Sequence, residues 1–395
     1  MIQAAPGQVP WHILPVIIIS QFCGTALWFA GNAVLPSLVE GYGLAANSLG
    51  YLTSTVQLGF ILGTLVFAFL LIADRFSPVA VFLVCALLGA GFNLSMAFIE
   101  VRLDYFLLLR FLTGICLAGI YPVGMKIAAD WYETGLGKAL GYLVGALVLG
   151  TAFPHFVQYT LGDLGWQGVL IATSAAAAIG GLLLYLTVPN GPFRQKSKVF
   201  DPMAIWTIFR YPKFRAAAFG YFGHMWELYA FWAFLPFVLH YWFEAYTFVG
   251  DVSLWSFIGI SMGSLGCVVG GYISLRKNSK MVAFYMLLVS GILCLLSPLI
   301  LQINLAPLFL GLMLLWGFCV VGDSPQFSTL VAQNAPAEFR GSALTIVNCI
   351  GFAITIGSIQ LLNYLNQHYP TRWLLLPLVI GPIFGLLALN RQKVK

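Results

Sequence analysis

The run GYFGHMWELYAFWAFLP, Gly220–Pro236, sets a histidine and a carboxylic acid in the middle of an otherwise apolar, aromatic stretch. His224 and Glu227 are three residues apart, which places both on one face of a helix. Histidine ordinarily titrates near neutral pH, so an imidazole and a carboxyl on one buried face suit proton exchange. The alternative is a satisfied structural pair that holds this helix against a neighbour. Other ionisable groups are embedded in the same way. Asp323 precedes Pro325 and Gln326 in WGFCVVGDSPQFSTLVAQN, Trp316–Asn334. Arg110, Lys126 and Asp130 punctuate RFLTGICLAGIYPVGMKIAADW, Arg110–Trp131, and His155 follows Pro154.

Ionisable side chains in apolar spans are costly and usually face a bundle interior, where they mark ion or solute pathways. Arg110, Lys126 and His155 give the first half of the chain a cationic bias that favours a small organic anion. Glu227 and Asp323 could instead draw a lipophilic cation, and both readings stay open. Each group also has a plainer role. Lys126 can pair with Asp130 at i,i+4 or snorkel to the interface, and Arg110 can snorkel outward. Trp28, Asn32, Gln57, Tyr121, Tyr229 and Gln326 are candidate wall residues of a polar cavity.

The elements that must position these groups are membrane helices. The chain is 60% hydrophobic and 8% charged, whereas a soluble domain carries about 25% charged residues. Spans need about 20 apolar residues, and twelve such segments can be read: 12–35, 48–72, 79–99, 104–128, 139–160, 167–188, 215–240, 251–274, 281–301, 306–330, 341–365 and 373–390. The net charge of +6 is gathered in a few loops and does not suggest a nucleic-acid partner. The 7 cysteines lie in apolar segments without a CxxC spacing, so neither a disulfide framework nor a metal site is indicated. No GxxxxGK[ST] loop, catalytic triad or cofactor motif is present, and neither an enzyme nor a cofactor is expected. Residues 1–11 contain no Lys or Arg, which argues against a cleaved signal peptide.

The basic residues set an orientation. With both termini inside, the cytoplasmic segments hold Arg75, Lys138, Arg194, Lys196, Lys198, Arg210, Lys213, Arg215, Arg276, Lys277, Lys280, Arg340, Arg391, Lys393 and Lys395. The outer loops keep Arg102 and Arg372, an asymmetry that follows the positive-inside rule. The basic connection 189–213 reads as a cytoplasmic linker between an N-terminal bundle, 1–188, and a C-terminal bundle, 214–395.

The two bundles echo each other. At one constant offset Gly114, Gly119, Ile120 and Pro122 fall on Gly317, Gly322, Asp323 and Pro325, and, one residue out of step, GKAL at Gly137–Leu140 is answered by GSAL at Gly341–Leu344. Internal repeats of this size point to transporter folds. Twelve segments, two repeats and a basic central linker resemble the major facilitator superfamily over the whole chain. Asp74-Arg75 matches the acidic-basic pair of that superfamily's G-x-x-x-D-R-x-G-R/K motif, although Leu70 and Pro78 replace its leading glycine and trailing basic residue. A second copy keeps Gly271 and Arg276 with Leu275 in place of the acid. Arg110-x-x-x-Gly114 and Arg340-Gly341 are similar to two further motifs.

The resemblance implies an all-α fold of twelve transmembrane helices in two six-helix repeats. It also implies secondary active transport by alternating access in a bacterial inner membrane. A small-molecule solute, protons and the lipid bilayer are the expected partners of a monomeric symporter. Asp74, Arg75, Asp130 and Arg340 would form a cytoplasmic gate, with Asp74 capping the start of the eleventh helix and Arg75 available to Asp130. Drug efflux, or a transport-derived sensor that binds without moving its ligand, are the rival readings.

Overall fold

The computed structural model describes residues 9–45, 47–132, 136–194 and 200–390; Lys196, Lys198, Arg391, Lys393 and Lys395 lie outside them. The described residues form twelve long helical elements and no strand. In chain order these are α1 Ile13–Tyr42, α2 Ser48–Leu70, α3 Pro78–Ser95, α4 Leu103–Trp131, α5 Leu136–Leu161, α6 Gly165–Thr187, α7 Pro212–Ala245, α8 Val252–Arg276, α9 Ser279–Ile300, α10 Ala306–Asn334, α11 Arg340–His368 and α12 Thr371–Asn390. α5 and α6 fall in a single apolar stretch of 50 residues and are parted by a short turn at Gly162–Leu164. With 34 residues, α7 is longer at both ends than its apolar run suggests.

α12 opens with two 3-10 turns, Thr371–Trp373 and Leu376–Val379, before its α-helical run Ile380–Asn390, and three other elements are interrupted α-helices. α1 stops at Thr25 and resumes at Ala30. α4 stops at Ala118 and resumes at Tyr121, and α10 stops at Gly322 and resumes at Ser324. The last two breaks share a cause. Each comes just ahead of a proline, Pro122 or Pro325, that takes the second position of the new helix. Proline suits a first turn because its missing N–H would have no partner there. The breaks therefore sit at repeat-equivalent positions. Pro154, by contrast, leaves α5 continuous.

Glycines let neighbours approach closely within each repeat, as in many membrane bundles. Gly114 of α4 lies against the Val56 carbonyl of α2, and Gly317 of α10 lies against the Gly259 carbonyl of α8, so a Cβ at either would collide with backbone. The two repeats join where α2 packs on α11 and α5 on α8. On the outside, Val84, Leu88, Ile179, Leu186, Leu295 and Ile383 are exposed, the apolar surface a bilayer requires.

A strap connects the repeats at one end of the bundle, here termed the linker side. Trp131 Nε1 donates to the Pro189 carbonyl at 3.0 Å, and Phe193 N donates to the Asp130 carbonyl at 3.0 Å. Arg194 Nη2 reaches the carbonyls of Asp74 and Phe76 at 2.9 and 2.7 Å. Further on, Phe200 stacks edge-on to Phe69 of α2, with centroids 4.8 Å apart. Asp201 N then donates to Ser342 Oγ of α11 at 3.0 Å, and a short helix, Ala204–Ile208, packs against α11.

Candidate functional site

A cavity of about 1160 Å³ lies between the repeats. Its wall near the linker side carries Lys126, Asp130, Lys138, Tyr142 and Tyr272. Deeper, it is made by Tyr121 from α4, by Tyr221, Met225, Leu228, Tyr229 and Trp232 from α7, by Gln326 from the second piece of α10, and by Asn348 and Phe352 from α11. The α7 residues recur at helical spacing and form one stripe. Tyr221 Oη donates to Asn348 Oδ1 at 3.1 Å, which ties the α7 and α11 walls together.

The far side is closed. Trp28 stacks between the repeats, with centroids 5.6 Å from Phe352 and 5.8 Å from Tyr229, and its indole N–H donates to Gln57 Oε1 at 3.3 Å. Phe29 meets Trp232, and Phe156 of α5 meets Phe257 of α8. At the outermost level Gln360 Nε2 donates to the Gly50 carbonyl at 2.9 Å and to Ser54 Oγ at 2.8 Å. Asn363 Nδ2 donates to the Asn47 carbonyl at 3.0 Å. The side-chain contacts just described thus close the cavity at the end opposite the linker side.

Of the ten cavity candidates, Lys126, Tyr121, Gln326 and Tyr229 line the wall, and the other six are enclosed elsewhere. Arg110 is fully buried and donates from Nη1 to the Leu27 carbonyl at 2.8 Å and from Nη2 to the Trp28 carbonyl. These carbonyls belong to the interruption in α1, so the guanidinium satisfies backbone that the broken helix leaves unpaired. It neither snorkels outward nor faces the cavity. Asn32 Nδ2 donates to Thr53 Oγ1 at 2.8 Å, Gln57 holds Trp28 from behind, and His155 is buried within α5.

His224 and Glu227 do share a face, but each has its own partner. His224 Nδ1 lies 2.8 Å from Asp323 Oδ1 at the α10 break. Glu227 accepts from Trp316 Nε1 at 2.6 Å and from Ser290 Oγ at 3.0 Å. All three ionisable groups are at most 1% exposed and stand one side-chain layer behind the cavity wall. Of the gate residues, Asp74 does not cap α11, whose first turn has no side-chain cap. Lys126 Nζ lies 3.0 Å from Asp74 Oδ1 and 3.7 Å from Asp130 Oδ1, while Arg75 and Arg340 are exposed. The reason is proximity: α4 brings Lys126 within ion-pair distance of both acids.

Sequence reasoning left out Tyr221, Met225, Lys138 and Tyr272 as wall residues. Tyr221 and Met225 could have been found from their spacing to Tyr229 and Trp232 on α7.

The Major Facilitator Superfamily model matches residues 17–359. The chain belongs to that family. Among curated relatives of this major facilitator protein, the uncharacterized transporter YgaY of Escherichia coli O157:H7 is 28% identical over 193 residues, 46% of this chain and 47% of that one. The 4-hydroxybenzoate transporter PcaK of Pseudomonas putida is 24% identical over 47% of this chain and 41% of its own. The niacin transporter NiaP of Acinetobacter baylyi is 27% identical over 37% and 38%. The chain thus spans about half the length of these relatives, or less. Among solved structures, a bacterial homologue of the human lysosomal transporter Spinster, inward-facing and unoccupied, superposes with a TM-score of 0.71 at 16% identity, covering 97% of this chain and 98% of the other. A variant of the nucleoside transporter NupG gives 0.71 at 15% identity, covering 96% and 98%. The family model shows membership of the superfamily, and the solved structures show its membrane fold of two six-helix repeats.

Proposed function

We propose that this transporter moves a small aromatic carboxylate across a bacterial inner membrane by alternating access, as a monomer driven by the proton gradient. The observation that supports it best is the inter-repeat cavity, open at the linker side and closed opposite by contacts that the two repeats make with each other. Midplane sites between rocking repeats are the working geometry of such transporters. With the positive-inside orientation, the linker side and both termini are cytoplasmic, and the form described is inward-facing.

The wall chemistry supports the solute class. Tyr121, Tyr221, Tyr229 and Trp232 offer flat faces, and the tyrosines hydroxyl groups; at the mouth Lys138 adds positive charge, and Lys126, held between Asp74 and Asp130, is a cation that a solute carboxylate would draw from those acids. Glu227 and Asp323, which would attract a lipophilic cation, are withdrawn behind the wall, and this weighs against efflux of cations. The solutes in the names of two relatives, 4-hydroxybenzoate and niacin, are both small aromatic carboxylates. The proton site belongs to the Glu227 and His224 face of α7.

Protein reconstituted into liposomes should exchange labelled 4-hydroxybenzoate or nicotinate in counterflow, and an inward proton gradient should speed uptake. Lys126→Ala should weaken apparent affinity for the carboxylate about tenfold, the order of one lost charge-assisted hydrogen bond, while Glu227→Gln should abolish the response to the gradient and keep counterflow. Flux unaltered by the gradient in the parent protein would sink the coupling. Binding without any flux would favour a sensor.

A further inference from the structure

We propose that His224, Asp323 and Glu227 act as one buried proton store whose occupancy sets the geometry of the α10 break, and through it the position of Gln326 in the cavity wall. The use of this store for coupling rests on the transport reading above; its chemistry does not.

The first support is a charge count. The cluster holds two carboxyl groups and one imidazole. His224 touches Asp323, and Glu227 lies within electrostatic reach of Asp323. The other titratable groups facing it are Cys267 from α8, Cys294 from α9, Cys319 from α10 and Tyr221 from α7, all neutral in their ordinary forms. α11 and α12 add no charged group, and among the described residues His224 is the one cation against these acids. Ionising all three groups would leave a net negative charge on buried side chains, which is strongly disfavoured. The combinations that balance to zero are imidazolium with one carboxylate and one carboxylic acid, or neutral imidazole with two carboxylic acids. The cluster therefore keeps at least one proton on a carboxyl for as long as it stays enclosed.

The second support is a hydroxyl able to serve both states of Glu227. Ser290 Oγ is 3.0 Å from Glu227 Oε2 and 3.2 Å from the Leu287 carbonyl. Donating to Glu227, it stabilises the carboxylate. Turned to Leu287, it accepts the Glu227 O–H. Trp316 Nε1, a donor only, holds the other carboxyl oxygen in either case.

The third support is the position of Asp323. It is the residue between the two pieces of α10, and its carbonyl accepts from Gln326 N at 3.0 Å and Phe327 N at 2.9 Å. Its carboxyl is held by His224, whose ring packs between Tyr221 and Phe327. When Glu227 loses its proton to cavity water, the two carboxylates repel across the break. Asp323 is joined to Gln326 by a single turn, so the repulsion is passed directly to the wall.

Infrared spectroscopy of the purified protein in detergent tests this without transport. The carbonyl stretch of an enclosed carboxylic acid should be present at neutral pH and absent from Glu227→Gln. Asp323→Asn removes one negative charge and should move the disappearance of the band to lower pH by roughly one to three units; His224→Asn removes the cation and should move it to higher pH by a similar amount. A band that survives Glu227→Gln, or one indifferent to both other substitutions, overturns the store. Should Asp323→Asn fail to fold, the near-isosteric Glu227→Gln and the opposite shift in His224→Asn still decide. If these shifts appear but neither 4-hydroxybenzoate nor nicotinate perturbs the band, the store stands and its coupling role is removed.

Discussion

α4 and α10 are the same device built twice with different chemistry at the centre. Both run apolar to a glycine, break, and restart over a proline, and both lean on a neighbouring helix through a glycine that touches backbone. At the break α4 places Ile120, whose side chain fills the space over Gly24, while α10 places Asp323 against His224. The shared features are those that backbone geometry demands. The one position free to differ has become apolar in one repeat and ionisable in the other. The architecture is symmetric, and the ionisable group at the break is one-sided.

Placing an acid at the α4 break would strain that contrast most. Ile120→Asp would bury a carboxyl with no histidine opposite, and should lower stability by about 3–5 kcal/mol, the usual cost of an unpaired buried charge, seen as a large fall in melting temperature in detergent. Retained stability would mean that the first repeat already holds a partner for it. The symmetric part can be broken next. Gly114→Leu and Gly317→Leu should each cost about 1–3 kcal/mol or more through overpacking, and by similar amounts. A clear inequality in thermal denaturation would show that the two glycine contacts are not equivalent. The smallest effect sharpens the chemical side. Trp316→Phe keeps the stacking on Phe231 but removes a donor from Glu227, and should cost about 1 kcal/mol; no change in the melting point would mean that the indole contact contributes nothing.

Much of this contrast was legible in the residues. The glycine–proline spacing aligned α4 with α10 and the Ile120–Asp323 difference marked the one-sidedness, but both segments read as unbroken spans and their interruptions were not foreseen. The orientation of the ionisable groups was not legible. Spacing of three residues put His224 and Glu227 on a common face, yet it could not show that this face meets α9 and α10 while Tyr221, Met225 and Tyr229 turn to the cavity. Arg110 is the sharper case. Its partners are carbonyls freed by the interruption in α1, an unwinding over Ala26–Phe29 that no proline announces. Asp74 likewise takes Lys126 of α4 as its partner and not the start of α11, a choice between helices that is set by tertiary packing and not by local sequence.

The strap has a consequence for size. Its first part is fastened by Arg194 to the α2–α3 turn and its second by Asp201 to the head of α11. Between those two anchors the polypeptide can reach no more than about 25 Å when fully drawn out. While both knots hold, that limit caps how far the head of α11 can swing from the α2–α3 turn.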